Sequence, residues 1–296
     1  MRVTVRSWPA WWPAAVAVAL TSPLALYWWN LIAAGSVAFD WRIFVEAGER
    51  FWAGSPDLYE VNDLYSFRHS PLFAHAMPAI AWIGTIGIRL ATIAAALALP
   101  TWPMRLLTLA SWPLAMDLQH GALITMLVCA AAWALRGSRV AGLCFIALCF
   151  LSPRPLMLPV AVYLLWKQPT LRVPTLVIGA LSAVGVLATG YAADWVGMLL
   201  RSGLDPYSTP LNLSPSRFIG SAWLPIGALL AVILTWRGHP GFAALAINPY
   251  VLPHYLLFGL LELPNDAGSD RPAKAADEMR SQEGDRAKGR VEGSGG

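Results

Sequence analysis

Long apolar stretches separated by short polar ones organise this chain. Trp11 to Ala34, Gly121 to Leu135, Val173 to Tyr191 and Phe218 to Trp236 are the clearest, and their lengths suit helices that cross a bilayer, which needs about 20 residues. Pro71 to Trp82, Ile86 to Leu99, Val140 to Leu151, Leu156 to Trp166 and Phe242 to Leu261 are shorter, and Pro and Gly break or shorten them. Irregular backbone survives at membrane depth only where protein or a wet cavity satisfies its polar groups, which predicts a cavity near one face. The pattern predicts an all-α, polytopic membrane helical bundle over residues 1–263. Residues 264–296 have only Met279 and Val291 as larger apolar side chains, so a disordered, charged tail is expected there.

Composition supports the same class. Hydrophobic residues make up 57% and charged residues 13% of 296, with mean hydropathy +0.53, too apolar for a soluble domain of this length. Arg2 and Arg6 precede the first apolar run as in a signal peptide, but the run is too long for one, and Tyr27-Trp28-Trp29-Asn30 is a poor cleavage site. The run reads as a retained helix.

Charge placement predicts orientation. With Arg2 and Arg6 cytoplasmic, strict alternation puts Arg89, Arg136, Arg139, Lys167, Arg172 and Arg237 inside as well, with no acid among them. Asp40, Glu46, Glu49, Asp57, Glu60, Asp63, Asp117, Asp194 and Asp205 then fall outside. Parity requires Thr101 to Gln119 to return without crossing, as a peripheral or half-membrane helix. The net charge of +4 follows from this orientation and gives no sign of a nucleic-acid partner. Two long external segments, Phe39 to Ser70 and Ala192 to Arg217, place function on the extracytoplasmic face of a cell membrane.

The first external segment opens on Phe39-Asp40-Trp41. On a helical wheel over residues 39–53, Trp41, Phe44, Val45, Gly48, Phe51 and Trp52 share one face and Arg42, Glu46, Glu49 and Arg50 the other, which predicts a helix lying in the membrane interface. Asp40 turns toward the apolar edge, away from the solvated Glu46 and Glu49. Two readings stay open: an N-cap, or a carboxylate facing the bundle. No Glu or Gln follows at the spacing of a capping box.

Several chemistries lack a signature. No GxGxxG follows a strand and no GxxxxGK[ST] occurs, so no nucleotide site is predicted. No HExxH or CxxC is present; a divalent ion is not implied and no cofactor is predicted. Cys129, Cys144 and Cys149 lie in apolar helices and read as packing residues.

Phe39-Asp40-Trp41, Ala47-Gly48, the turn Gly54-Ser55-Pro56-Asp57-Leu58-Tyr59 and Tyr65-Ser66-Phe67-Arg68-His69-Ser70-Pro71-Leu72 together resemble the first external loop of glycosyltransferase family 87. Leu118-Gln119-His120-Gly121, Ser152-Pro153-Arg154-Pro155 and Asn248-Pro249-Tyr250-Val251-Leu252-Pro253-His254-Tyr255 are similar to later motifs of that family, in the same order. The resemblance runs from about Ser36 to Phe258. It implies a GT-C fold and transfer of a hexose, mannose favoured, from a polyprenyl-phosphate donor to a hydroxyl of a lipid or glycan acceptor.

Under that resemblance Asp40 is the general base. Arg154, His254, Arg68 and Arg217 are the candidates for the donor phosphate, which needs cations as negative charge develops. His69, Tyr59, Gln119, His120, Asp194, Tyr207 and Asn212 are the candidates for acceptor or sugar. The chain departs from the family in having Ser152 and Asn248 where Lys and Ser are favoured, and in ending about one helix after His254. A truncated or non-catalytic relative that binds a lipid-linked sugar is therefore the alternative, with a membrane transporter behind it. The spans carry almost no charge and no internal repeat is visible, which disfavours the transporter.

Overall fold

A computed structural model describes residues 38–59, 67–202 and 212–263. The first expected span and the expected tail lie outside the described residues. The chain divides at Glu262/Leu263 into two units, and all described residues except Leu263 belong to the first. Among the described residues the fold is all-α, with no strand.

Helix α1 (Phe39–Trp52) buries Trp41, Phe44, Ala47 and Gly48. Gly48 is required there, because a Cβ would stand 2.8 Å from the Met77 Cβ on α2 (Pro71–Ala81). The predicted stripe therefore packs on a neighbouring helix around Phe44 and Gly48, while Trp52 at its end is exposed. Gly54, at φ 67, ends the helix, and the Ser55 amide donates back to Arg50 O.

Ser70 caps α2 by accepting from the Leu72 amide, with Pro71 in the first turn. Helix α2 meets α3 (Gly84–Leu97) at a bend of 103°, the broken span that Pro78 and Gly84 foreshadow. Thr101 and Ser111 then cap two short helices, α4 (Trp102–Leu109) and α5 (Trp112–His120), each with Pro in its first turn. At 8 and 9 residues neither can cross a membrane.

One expected span is corrected. Gly121 to Leu135 was read as continuous, but α6 (Ile124–Leu135) has only 12 residues, about 18 Å of helix. Gly121 at φ 68 closes α5, and Leu123 at φ 65 stands just ahead of α6, so the backbone turns sharply between them. Helices α7 (Arg139–Leu151) and α8 (Met157–Lys167) follow, and α7 packs on α6.

Among the described residues, two stretches are long and apolar enough to cross a membrane: Pro169–Ala188, which contains α9 (Arg172–Ala188), and Ser216–Trp236. A third counts if α2 and α3 form one broken span. Their apolar side chains face outward, with Leu176 73% and Leu229 61% exposed, as helices against lipid would have them. Between them lies α10 (Ala192–Ser202). The second stretch contains α11 (Ser216–Ile219) and α12 (Trp223–Trp236), and α12 packs on α13 (Pro240–Ile247). The final 3-10 stretch, Pro253–Glu262, lies against α5, α6 and α13.

Arg89 is buried on α3, where its Nε donates at 3.0 Å to the Leu118 carbonyl on α5. A helix-end carbonyl facing the core needs such a donor.

Candidate functional site

The site forms where the start of α1, the end of α5, the turn between α7 and α8, and the start of the Pro253–Glu262 stretch converge. Asp40 lies in the first turn of α1, two positions past the cap residue. Ala38 is the N-cap residue and makes no side-chain cap bond, so the capping reading of Asp40 is not what the helix shows. Gly121 allows α5 to approach: a Cβ on it would lie 3.0 Å from the Trp41 Cβ and 3.1 Å from the Ala38 Cβ. That contact sets His120 beside the opening of α1, with its ring 6.4 Å from that of Phe39.

Burial pushes the Asp40 carboxyl above the usual carboxylate range, while the His120 and Arg154 charges pull it back and Asp117 adds to the rise. No hydrogen bond to the Asp40 carboxylate occurs among the described residues. Arg154, held between Pro153 and Pro155, donates one bond of 3.0 Å to the Ala122 carbonyl. Its Nε and Nη1 are buried with no partner among the described residues. His254 is 1% exposed, stands 5.6 Å from the His120 ring, and both of its ring nitrogens are likewise unsatisfied. Buried donors without partners cost free energy, so a fold that keeps several together holds capacity for a ligand.

His69 packs among Phe44, Phe67 and Phe73, and its Nδ1 lies 2.9 Å from the Ser152 hydroxyl. Burial, helped by Arg154, keeps this imidazole neutral. It therefore ties the start of α2 to the turn that carries Arg154. The Tyr59 hydroxyl donates at 2.9 Å to the His69 carbonyl, and burial together with the nearby Asp194 pushes that hydroxyl up.

The remaining candidates divide. Gln119 is half-buried beside His120, and Asp194 is exposed on α10. Arg68 has a buried Nε with no partner among the described residues. Arg217 is exposed, with its guanidinium 5.9 Å from the Phe218 ring. The charges that act on Asp40 are His120, Arg154 and Asp117, with neither Arg68 nor Arg217 among them. Asn212 is buried and fully engaged: its amide donates to Ser216 Oγ and Pro249 O, each at 3.2 Å, and accepts from the Ser214 and Val251 amides, each at 3.0 Å. It clamps the chain ahead of α11 to the segment that leads into His254. Tyr207 lies outside the described residues.

Asp117 was not singled out from the sequence. It is fully buried and accepts from the Ile124 amide at 3.2 Å, the Thr125 amide at 2.7 Å and the Thr125 hydroxyl at 2.6 Å. It therefore caps α6 from the preceding helix. Burial raises its pKa and the Thr125 bonds lower it. The available signal was an acid on an apolar helix four residues before a stop glycine. Among the described residues no group of three or more His, Cys, Asp or Glu is placed to hold a metal ion.

The chain matches no protein-family model, no curated protein and no solved structure.

Proposed function

We propose that this protein is an integral membrane glycosyltransferase. It moves a hexose, mannose favoured, from a polyprenyl-phosphate donor to a hydroxyl of a lipid or glycan acceptor at the extracytoplasmic face of a multi-pass bundle. The observation that carries the reading is the pairing of Asp40, a carboxylate without a structural hydrogen bond among the described residues, with the unused buried donors of Arg154 and His254. The sequence resemblance to glycosyltransferase family 87 and its GT-C fold supplies the reaction.

In that reaction Asp40 removes the acceptor proton as the hydroxyl oxygen attacks the anomeric carbon. The bond from that carbon to the phosphate oxygen breaks, and the electron pair leaves on the polyprenyl phosphate. Arg154 and His254 stabilise the negative charge that develops there, the task to which a planar guanidinium is suited. The attack comes from the face opposite the leaving group, so the configuration inverts.

The test is transfer of labelled sugar from a panel of polyprenyl-phosphate donors into membrane lipids and glycans, with nucleotide sugars as the comparison. Product from a lipid-linked donor alone supports the proposal. Binding of that donor without product would favour the non-catalytic alternative.

A further inference from the structure

An apolar groove of about 480 Å³ runs between α8 and α12, walled by Leu158, Val162 and Trp166 on one side and by Ala231, Val232 and Trp236 on the other. Thr235 is the one lining residue with a polar side chain apart from the two Trp indoles. The groove lies on the α8 and α12 faces and contains none of the residues assigned to sugar transfer.

One end of the groove is basic. Lys167 follows Trp166 directly and sits 5.3 Å over its ring and 5.6 Å from the Tyr163 ring. Arg237 follows Trp236, and the next residue, Gly238, has its Cβ position 3.6 Å from the Tyr163 hydroxyl. Tyr163 therefore links the end of α8 to the end of α12, which sets Lys167 and the backbone at Arg237 on the same rim. Lys167 and Arg237 are exposed, and neither forms an ion pair among the described residues. Arg172 lies close by, its Nε donating to the Leu165 carbonyl at 3.0 Å. Glu262, at the end of the Pro253–Glu262 stretch, bonds to His239 and to the Gly241 and Phe242 amides at the start of α13.

We infer that this groove binds one anionic phospholipid, its acyl chain between α8 and α12 and its phosphate against Lys167 and Arg237. Charge complementarity selects the occupant. An apolar trough ending in Trp, Tyr and two cations that form no ion pair among the described residues matches an acyl chain joined to an anionic headgroup. The apolar stretch of residues 11–34 follows Arg2 and Arg6, which would add positive charge to an already positive rim. A second copy of the chain would bring the same cations to it.

The experiment is native mass spectrometry of the full chain with equimolar phosphatidylglycerol and phosphatidylcholine of matched acyl chains. The wild-type protein is expected to retain phosphatidylglycerol at least 10-fold over phosphatidylcholine, since each basic residue near an anionic headgroup is worth roughly a fivefold preference. Lys167→Gln with Arg237→Gln should bring the two lipids to parity, and both positions are exposed enough to leave folding intact. Val232→Trp, at an exposed lining position, fills the groove but keeps the cations, and should remove the bound lipid of either kind. Equal retention of both lipids by wild type would overturn the inference, as would a preference that survives the double substitution. Sugar transfer should be unchanged in the double variant, so this outcome stands apart from the fate of the catalytic proposal.

Discussion

Asp40 and Glu262 are both carboxylates beside a histidine, yet one is spent on capping and the other is not. Glu262 accepts from the Gly241 amide at 2.6 Å and the Phe242 amide at 3.1 Å, and its second oxygen lies 2.9 Å from His239 Nδ1. Its lone pairs are spent on the start of α13, where negative charge also meets the positive end of the helix dipole. Asp40 has its own helix start nearby but caps nothing, and it faces His120 and Arg154. A carboxylate used as a cap stabilises the fold and has nothing left for a ligand. One held half-buried without such bonds costs stability and has lone pairs left for a ligand.

The largest expected effect separates these two roles. Asp40→Asn should lower sugar transfer by about 10²- to 10⁴-fold, the range for loss of a general base. The same change should leave the melting temperature equal or higher. The sign follows from the raised pKa: folded Asp40 prefers to be protonated, so stability present below its unfolded pKa is lost as pH rises through the folded value. Asn removes that loss. A drop in melting temperature would show that Asp40 is structural after all.

Arg154→Gln comes next, with an expected fall of about 10²-fold in turnover through loss of leaving-group stabilisation. The substitution also removes a positive charge that lowers the Asp40 pKa. The proposed base works in its ionised form, so activity should rise with pH and the acid limb of the rate profile should move to higher pH in this variant. An unmoved limb would break the link between the two residues.

Asp117→Asn probes the second buried acid. It places an NH2 group among donors that now meet a carboxylate, and should cost about 1–3 kcal/mol of stability, read by denaturant midpoint. Transfer per folded molecule should change far less than in Asp40→Asn. The smallest effect is expected from Glu262→Ala: loss of a cap worth about 1 kcal/mol, a shift of roughly 2–4 °C in melting temperature. Its activity should stay near wild type.

Local chemistry made part of this legible in advance. Thr101 to Gln119 is expected as a single non-crossing helix, and the structure divides it in two, each part starting at a capping Thr101 or Ser111 with Pro in the first turn. The apolar spacing around Phe44 and Gly48 gave the buried face of α1, though not the close crossing on Met77. Arg154 stood out because a charge between two prolines has no helical role. Long-range partnerships were hidden. Asp117 reaches seven and eight residues ahead to α6, and Arg89 reaches 29 residues to Leu118, distances that periodicity cannot register. The broken start of α6 follows from the Asp117 cap and the turn at Gly121 and Leu123, so a run that looked continuous was shortened by contacts outside it.

The most direct test of the central claim measures transfer and melting together for Asp40→Asn and Glu262→Ala, using a labelled polyprenyl-phosphate hexose. The account predicts a crossed result: Asp40→Asn folded and inactive, Glu262→Ala less stable and active. Full activity in a folded Asp40→Asn protein would contradict it.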